Sequence, residues 1–312
     1  MGGTLRGISL GHAFRNRLRK DSLTGCVHSV FRSVCNLCTA EGELYALVLP
    51  EVGNSPNSVV VVLPPGGNFL SCGFVEKKQF MAIGSNTLVV DDWVFDLSEA
   101  GLWAVEDLHD GLSRGKMREN FFILKRQMAG KGYPEGLGGL LADRNPDVYL
   151  VKAAAKVLPQ LYEAIRSLDQ VGVYRSAQSL VGLGPGLTPS GDDFLSGFML
   201  SLFWGTRALA IDMKGILQCN QEIVRAAKGR TNLISYTQLL YAAKGQGAEH
   251  IYRLIKALYY GENGEELKEA INQVLKLGST SGSDVIAGIG LAMEFILVEE
   301  TIYHERSAQI WL

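Results

Sequence analysis

Between Gly182 and Leu200 the chain runs GLGPGLTPSGDDFLSGFML, and three chemically useful features meet in it: glycine-freed backbone, the hydroxyls of Thr188 and Ser190, and the adjacent carboxyls of Asp192 and Asp193. Gly184 and Gly186 flank Pro185, and Pro189 bars helix before it, so the segment reads as a glycine-rich turn feeding a helix start. Ser190 or Asp192 is expected to cap the backbone N–H groups that the first helical turn leaves unpaired. Such a start, with Gly191 in its first turn, offers donors and a positive dipole end to an anion. Two neighbouring aspartates repel a phosphate unless a cation or a proton lies between them. Two chemistries therefore stay open: anion binding, and an acid/base or metal-assisted site on Asp192 and Asp193.

The same pattern returns near the end of the chain. Laying Thr188–Leu200, TPSGDDFLSGFML, over Ser279–Leu291, STSGSDVIAGIGL, matches Ser190 with Ser281, Gly191 with Gly282, Asp193 with Asp284, Gly197 with Gly288 and Leu200 with Leu291. Each copy puts Ser-Gly-x-Asp at a predicted helix start and a glycine four residues after the Asp, where another backbone can approach. One reading is two helices related by an approximate two-fold that aim their N-termini at a shared polar pocket, which adds Ser281 and Asp284 to the site. The plainer reading is two well-capped core helices. The presence of both copies favours the first. Arg230, Thr231 and Asn232 open another capped helix start before ISYTQLLYAA, and Arg230 there suits either a two-pronged grip on a carboxylate or phosphate, or surface charge balance.

Other chemistries find little support. The histidines His12, His28, His109, His250 and His304 show no metal-ligand spacing, and none accompanies a serine in a nucleophile elbow. GLGPGL lacks the Gly-Lys-Ser/Thr ending of a P-loop. Cys35 and Cys38 form one CxxC without a second pair, so half-buried strand thiols explain them better than a zinc or redox site. Asp91 and Asp92 before Trp93 read as a strand-end turn.

The elements that must position these residues change in character along the chain. From His28 to about Leu97, the segments HSVFRSVCNL, ELYALVLPEV, NSVVVVLPP and NTLVVDDWVFDL alternate with Gly, Pro and Asn clusters and predict strands. After Trp103 helical spacing dominates, over 145–168, 194–209, 214–227, 234–243, 248–260, 265–277 and 284–302. The polar, glycine-rich span Asp110–Gly139 reads as a surface excursion of the helical part in preference to a linker or an active-site loop. Strands followed by helices, without alternation, predict an α+β chain with a β-rich domain over 1–105 and a helical domain over 106–312. A formal net charge of −2, with 47% hydrophobic and 20% charged residues, argues against disorder and against nucleic acid as a partner. The apolar run from Phe194 to Ile211 is interrupted by Ser196, Ser201, Gly205, Thr206 and Arg207, which suits a buried helix and no membrane partner. Five scattered cysteines and an N-terminus without a continuous apolar core suggest a cytoplasmic protein.

GLGPGLTPSGDDFLSGFML resembles the hallmark GxGxGLTPSGDD of a bacterial family catalogued as a domain of unknown function. HSVFRSVCNL, SPNSVVVVLP, RTNLISYTQLLYAAKGQGAE and GSTSGSDVIAGIGLAM are similar to its other recurring segments, so the resemblance spans nearly the whole chain. One branch is similar to a subunit of the oxamate carbamoyltransferase of allantoin and purine breakdown, which interconverts oxalurate and phosphate with oxamate and carbamoyl phosphate alongside two larger unlike subunits. The resemblance implies a small anionic substrate such as carbamoyl phosphate or oxamate, and other protein subunits as partners. Gly184, Gly186, Thr188, Ser190, Gly191, Arg230, Thr231, Ser281 and Asp284 would bind the substrate. Asp192 or Asp193 would orient the carbamoyl group or hold a divalent cation, Mg2+ being the candidate. Two other roles stand beside it: a non-catalytic assembly or ligand-sensing subunit, and a stand-alone metal-dependent enzyme acting on a small carboxylate.

Overall fold

The computed structural model describes residues 2–20, 23–108, 111–129, 135–142, 148–211 and 213–310, with side chains as far as Val298. His109, the side chain of His304 and parts of the Asp110–Gly139 span lie outside the described residues. The chain divides into two compact units, Met1–Glu106 with Gly247–Glu249, and Asp107–Gln246 with His250–Leu312.

The first unit is a β-barrel. Its strands are β1 (Thr4–Gly11), β2 (Thr24–Val30), β3 (Val34–Thr39), β4 (Leu44–Val48), β5 (Ser58–Val62), β6 (Gln79–Ile83), β7 (Thr87–Val90), β8 (Trp93–Asp96) and β9 (Gly101–Trp103). They lie in the order β5-β4-β3-β2-β6-β7-β8-β1-β9, and β1 closes the sheet by also pairing antiparallel with β5. The opposite edge of β1 is shared, its first half running parallel to β8 and its last residues parallel to β9. Alternate residues fill the interior, among them Val27, Leu37, Leu47, Val59, Val61, Leu88, Val90 and Phe95, joined by Phe14 and Leu18 from the short helix α1 (His12–Leu18). The acidic pair of NTLVVDDWVFDL does form the turn between β7 and β8, with Asp91 at φ 51°.

The second unit is helical: α2 (Arg114–Ala129), α3 (Tyr149–Arg166), α4 (Gln170–Leu180), α5 (Ser190–Ala208), α6 (Met213–Ala227), α7 (Leu233–Ala242), α8 (Glu249–Tyr259), α9 (Gly264–Leu275) and α10 (Ser281–Ile310). The α+β class with a β-rich N-terminal part is thus observed. The reading of Asp110–Gly139 as a surface excursion is corrected. Its centre is α2, whose buried Met117, Asn120, Leu124 and Met128 repeat at helical spacing with a polar residue in one core position. Asn120 hides the period because its Nδ2 donates to the carbonyls of Ala257, Leu258 and Gly261. The end of that span is buried too, with Leu137, Gly138 and Gly139 out of water.

At the centre of this unit α5 lies against α10, and every residue of α5 from Ser190 to Leu202 is buried. Glycines set the approach. A Cβ at Gly197 would stand 2.1 Å from the carbonyl oxygen of Val285, and one at Gly288 would stand 2.0 Å from that of Phe194. Val285 and Phe194 occupy the same place in the two sequence copies, so each helix offers its glycine to the equivalent carbonyl of the other. The helices that precede them repeat the arrangement: a Cβ at Gly191 would meet the Leu180 carbonyl oxygen at 1.8 Å, and one at Gly282 the Val274 carbonyl oxygen at 2.0 Å. Ser281–Val298 is long and apolar enough to cross a membrane, and 78% of it is buried within the protein, as befits a core helix.

Because the obstruction at Gly288 is backbone, Gly288→Ala has to push α5 and α10 apart, at a cost of about 1–3 kcal/mol or more. Gly115→Ala, in α2, meets nothing within 4 Å and is expected to be neutral or to stabilise by up to about 1 kcal/mol. Urea unfolding of the two variants checks this, and equal midpoints would disprove the close-packing account.

Candidate functional site

The loop 181–189 is shaped by glycine and tied down at several points. Gly182, Gly184 and Gly186 sit at φ 70°, 106° and 101°, a left-handed region that side chains avoid. The Leu183 carbonyl accepts from Gly191 N at 2.8 Å, the Leu187 carbonyl accepts from Asn232 Nδ2 at 2.7 Å, and Gly182 N donates to Asp192 Oδ1 at 2.9 Å. Asn232 also caps α7, accepting from Ile234 N and Ser235 N. Thr231 Oγ1 makes a short hydrogen bond to the other Asp192 oxygen. Asp192 is 2% exposed, and burial raises its pKa while Thr231, Gly182 and Ser235 favour the charged form. Its two oxygens are occupied, so Asp192 works as the pin that fastens the loop and the start of α7 to α5.

Asp193 and Asp284 are placed differently. They are 2% and 0% exposed, and they interact across the α5–α10 contact as like charges. Their hydroxyl partners are exchanged between the two copies: Ser281 of the second copy serves Asp193, and Ser190 of the first serves Asp284. Thr188 and Thr280 add one hydroxyl to each. Thr188 Oγ1 and Ser281 Oγ are in turn hydrogen-bonded to each other at 2.9 Å, which closes the bracing of loop to α10. Gln238 Nε2 reaches Asp193 Oδ1 at 3.3 Å, and Leu137 N donates to Asp284 Oδ1 at 2.5 Å, with the Gly138 amide beside it. The Oδ2 atoms of both aspartates are buried without a well-formed hydrogen bond among the described residues.

Two ionised carboxylates do not share such a space. Burial, together with the charge of Asp284, pushes Asp193 up to about 7, against the combined pull of Ser281, Thr188 and Gln238, and burial also raises Asp284. The pair therefore holds a proton near neutral pH and titrates as a unit. A carboxyl so tuned can take a proton from a substrate, or return one, at neutral pH.

Several expected positions are revised by the geometry. Neither Ser190 nor Asp192 caps α5: the N-cap is Pro189, without a side-chain cap, because Ser190 is turned across to Asp284 and Asp192 back to the loop. The expected free donors are also engaged. Gly191 N is taken by Leu183, Asp192 N and Asp193 N go to the Pro189 carbonyl at 2.9 and 3.1 Å, and Gly282 N and Asp284 N go to Leu277 and Thr280. Gly186 is exposed, and Gly184 lies against Ser190. Arg230 is exposed, with its carbonyl against Gly182. The structure thus gathers Thr188, Ser190, Asp193, Ser281 and Asp284 in one place, sets Gly191, Asp192 and Thr231 beside them as supports, and leaves Gly186 and Arg230 on the rim. Gln238, Leu137 and the left-handed Gly136, whose Cβ would stand 2.5 Å from Asp284 Oδ1, were not anticipated, although the EGLGGLL run was the signal for the last two. Among the described residues no three His, Cys, Asp or Glu side chains converge as metal ligands.

A groove on the barrel unit, bounded by Thr4, Leu5, Arg6, Asp96, Ser98 and Glu99, carries an exposed Arg6–Glu99 ion pair and none of the residues singled out by sequence. Residues 180–293, which contain Thr188, Ser190, Asp193, Gln238, Ser281 and Asp284, match the family of the oxamate carbamoyltransferase subunit AllH. Residues 6–102, the barrel, match the AllH family N-terminal domain. No solved structure matches the chain.

The sign of the pH dependence follows from the direction of the Asp193 shift. The folded state keeps a proton that the unfolded chain, with a carboxyl near 3.8, gives up, so this contribution is complete below about pH 4 and is lost as pH rises through about 7. Asp193→Asn imitates the neutral form and should flatten that fall, leaving the variant more stable than the parent above pH 7 by on the order of a few kcal/mol. Chemical denaturation from pH 4 to 8 checks it; parallel curves for parent and variant would show that Asp193 does not hold the proton.

Proposed function

We propose, from the premise that the chain matches the AllH family in both of its units, that it serves as a subunit of an oxamate carbamoyltransferase in allantoin and purine catabolism, with the Asp193–Asp284 pair as its acid/base group. In the transfer, the amide nitrogen of oxamate forms a bond to the carbamoyl carbon of carbamoyl phosphate, the bond from that carbon to the phosphate oxygen breaks, and the nitrogen sheds a proton. Oxalurate and phosphate result. Asp193 accepts that proton in this direction and returns it in the other, which asks for a carboxyl whose pKa lies near neutrality. The single observation that carries the site assignment is this buried pair with an unsatisfied oxygen on each member. Thr188, Ser190 and Ser281, whose hydroxyls serve the carboxyls and each other in the structure, turn to donate to the small oxyanions, and Arg230, exposed beside the loop, supplies the phosphate with a cation.

Asp193 and Asp284 would hold Mg2+ accompanying the phosphate in place of the proton, since that ion is commonly held by one or two carboxylates and otherwise by water and phosphate. Bound there, it would offset charge on the phosphate. The other subunits of such an enzyme are the protein partners, and the cytoplasm is its place.

A second reading has an observation of its own. Asp193 and Asp284 are no more than 2% exposed, as expected of a polar junction that orders an assembly subunit while a partner subunit performs the chemistry. One experiment separates the two. The complex purified through a tagged copy of this chain is supplied with carbamoyl phosphate and oxamate, and phosphate release is followed for the parent, Asp193→Asn and Asp284→Asn. The acid/base assignment expects rates lower by about 100-fold or more in the variants, the usual size of such a contribution, with the complex intact. Unchanged rates in intact complexes would transfer the chemistry to a partner, and a parent complex that releases no phosphate would overturn the carbamoyltransferase reading itself.

A further inference from the structure

The CxxC of the barrel unit turns out to be paired differently from its sequence spacing. Cys35 and Cys38 stand three residues apart on β3, so they face opposite sides of the sheet. Cys35 is fully buried in the barrel interior, where burial pushes its thiol up to about 12. Cys38 faces outward with Cys26, its direct partner across the antiparallel β2–β3 ladder. Both are half-buried free thiols. Residues directly opposed in an antiparallel pair have Cα atoms about 4.5 or 5.5 Å apart, depending on the hydrogen-bonding pattern, and both values fall within the span of about 4.4–6.8 Å that a disulfide bridges.

We propose that Cys26 and Cys38 form a reversible disulfide clasp between β2 and β3, closed by exchange with a low-molecular-weight disulfide of the glutathione class. Cys38 is held as a thiol by its hydrogen bond to the Thr39 carbonyl at 3.3 Å. Burial and the neighbouring Cys26 raise it further. Cys26 is therefore the sulfur that attacks first. Its thiolate displaces one thiol from the small disulfide and forms a mixed disulfide. Cys38, once deprotonated, attacks the Cys26 sulfur and releases the second thiol, so that two protein thiols are oxidised and one small disulfide is reduced to two thiols. A dithiol reductant reverses both steps. The remaining cysteines lack this geometry: Cys35 and Cys219 are buried, and Cys72, half-buried in the turn after Leu70, is on no strand. The clasp is independent of the carbamoyltransferase reading.

The test treats the full chain, folded, with oxidised glutathione, then quenches, alkylates free thiols after unfolding and maps the cysteines by mass spectrometry. The expected product is an internal Cys26–Cys38 disulfide that dithiothreitol removes, with Cys35 and Cys219 recovered as free thiols. Cys38→Ser should stop at the mixed disulfide on Cys26, and Cys26→Ser should react more slowly, at Cys38. Mixed disulfides on Cys26, Cys38 or Cys72 in the parent, with no internal bridge, would overturn the proposal. So would an unmodified Cys26–Cys38 pair under conditions that glutathionylate Cys72.

Discussion

The close approach of α5 and α10 is the constraint on which the helical unit depends. Two helices whose glycines admit the other's carbonyl at Phe194 and Val285 bring their first turns alongside each other, and everything polar in those turns is then withdrawn from water. A serine that would otherwise cap its own helix finds the carboxyl of the opposite helix instead. The exchange of Ser190 to Asp284 and of Ser281 to Asp193 follows from that distance. Larger residues at Gly197 and Gly288 would separate the helices, and the aspartates would regain water and ordinary acidity.

Burial of this kind is costly, and the unit offsets only part of it. Asp192 has a partner at each oxygen and holds structure, whereas Asp193 and Asp284 each keep an oxygen without a well-formed hydrogen bond among the described residues. A core that needed polar groups only for specificity would satisfy them completely, because an unsatisfied buried carboxyl oxygen is among the more expensive features a fold can carry. Asp192 is held at both oxygens, by Gly182 N and Thr231 Oγ1, while the next residue, Asp193, keeps one oxygen without a well-formed hydrogen bond among the described residues, so two consecutive aspartates differ in their surroundings.

How much of this the sequence reveals depends on range. The paired helices and the matching of Asp193 with Asp284 are legible because the two copies share residues at Ser190, Gly191, Asp193, Gly197 and Leu200 with their counterparts. The strands β3, β4, β5, β7 and β8 are legible from β-branched runs bounded by turns; HSVFRSVCNL merges the end of β2 with β3, β6 goes unread, and β1 and β9 are short of such runs and gain their place from barrel closure. The helix α2 is masked by Asn120, a polar residue at a core position that makes sense only with the end of α8 in view. The capping of α5 is misread for the same reason. Ser-Gly-Asp-Asp after a proline has every local mark of a capped start, and the arrival of Thr231 and Asp284 from distant parts of the chain, with Gly182 ten residues upstream of Asp192, redirects its side chains. Gln238 and Leu137 lie 45 and 147 residues from the carboxyls they contact, beyond the reach of any local pattern.

The two-fold is approximate, and its imperfections give the two carboxyls different donors. Asp284 accepts from the Leu137 amide and sits beside that of Gly138, a backbone nest made possible by Gly136 at φ 75°, and fixed amide donors favour the charged form. Among the described residues Asp193 has no backbone donor of that kind: its helpers are hydroxyls, which can turn to donate or accept, and the distant Gln238 amide. The copies also differ one residue earlier, where Asp192 stands opposite Ser283, and Ser283 spends its hydroxyl on the Thr280 carbonyl. The first copy therefore has its loop fastened by Asp192 while its second aspartate is left to the weaker donors. A symmetric pair would divide one proton evenly. Here fixed amides face Asp284 and hydroxyls face Asp193, so two chemically alike residues differ in their surroundings, while burial raises both carboxyls and the pair titrates as a unit.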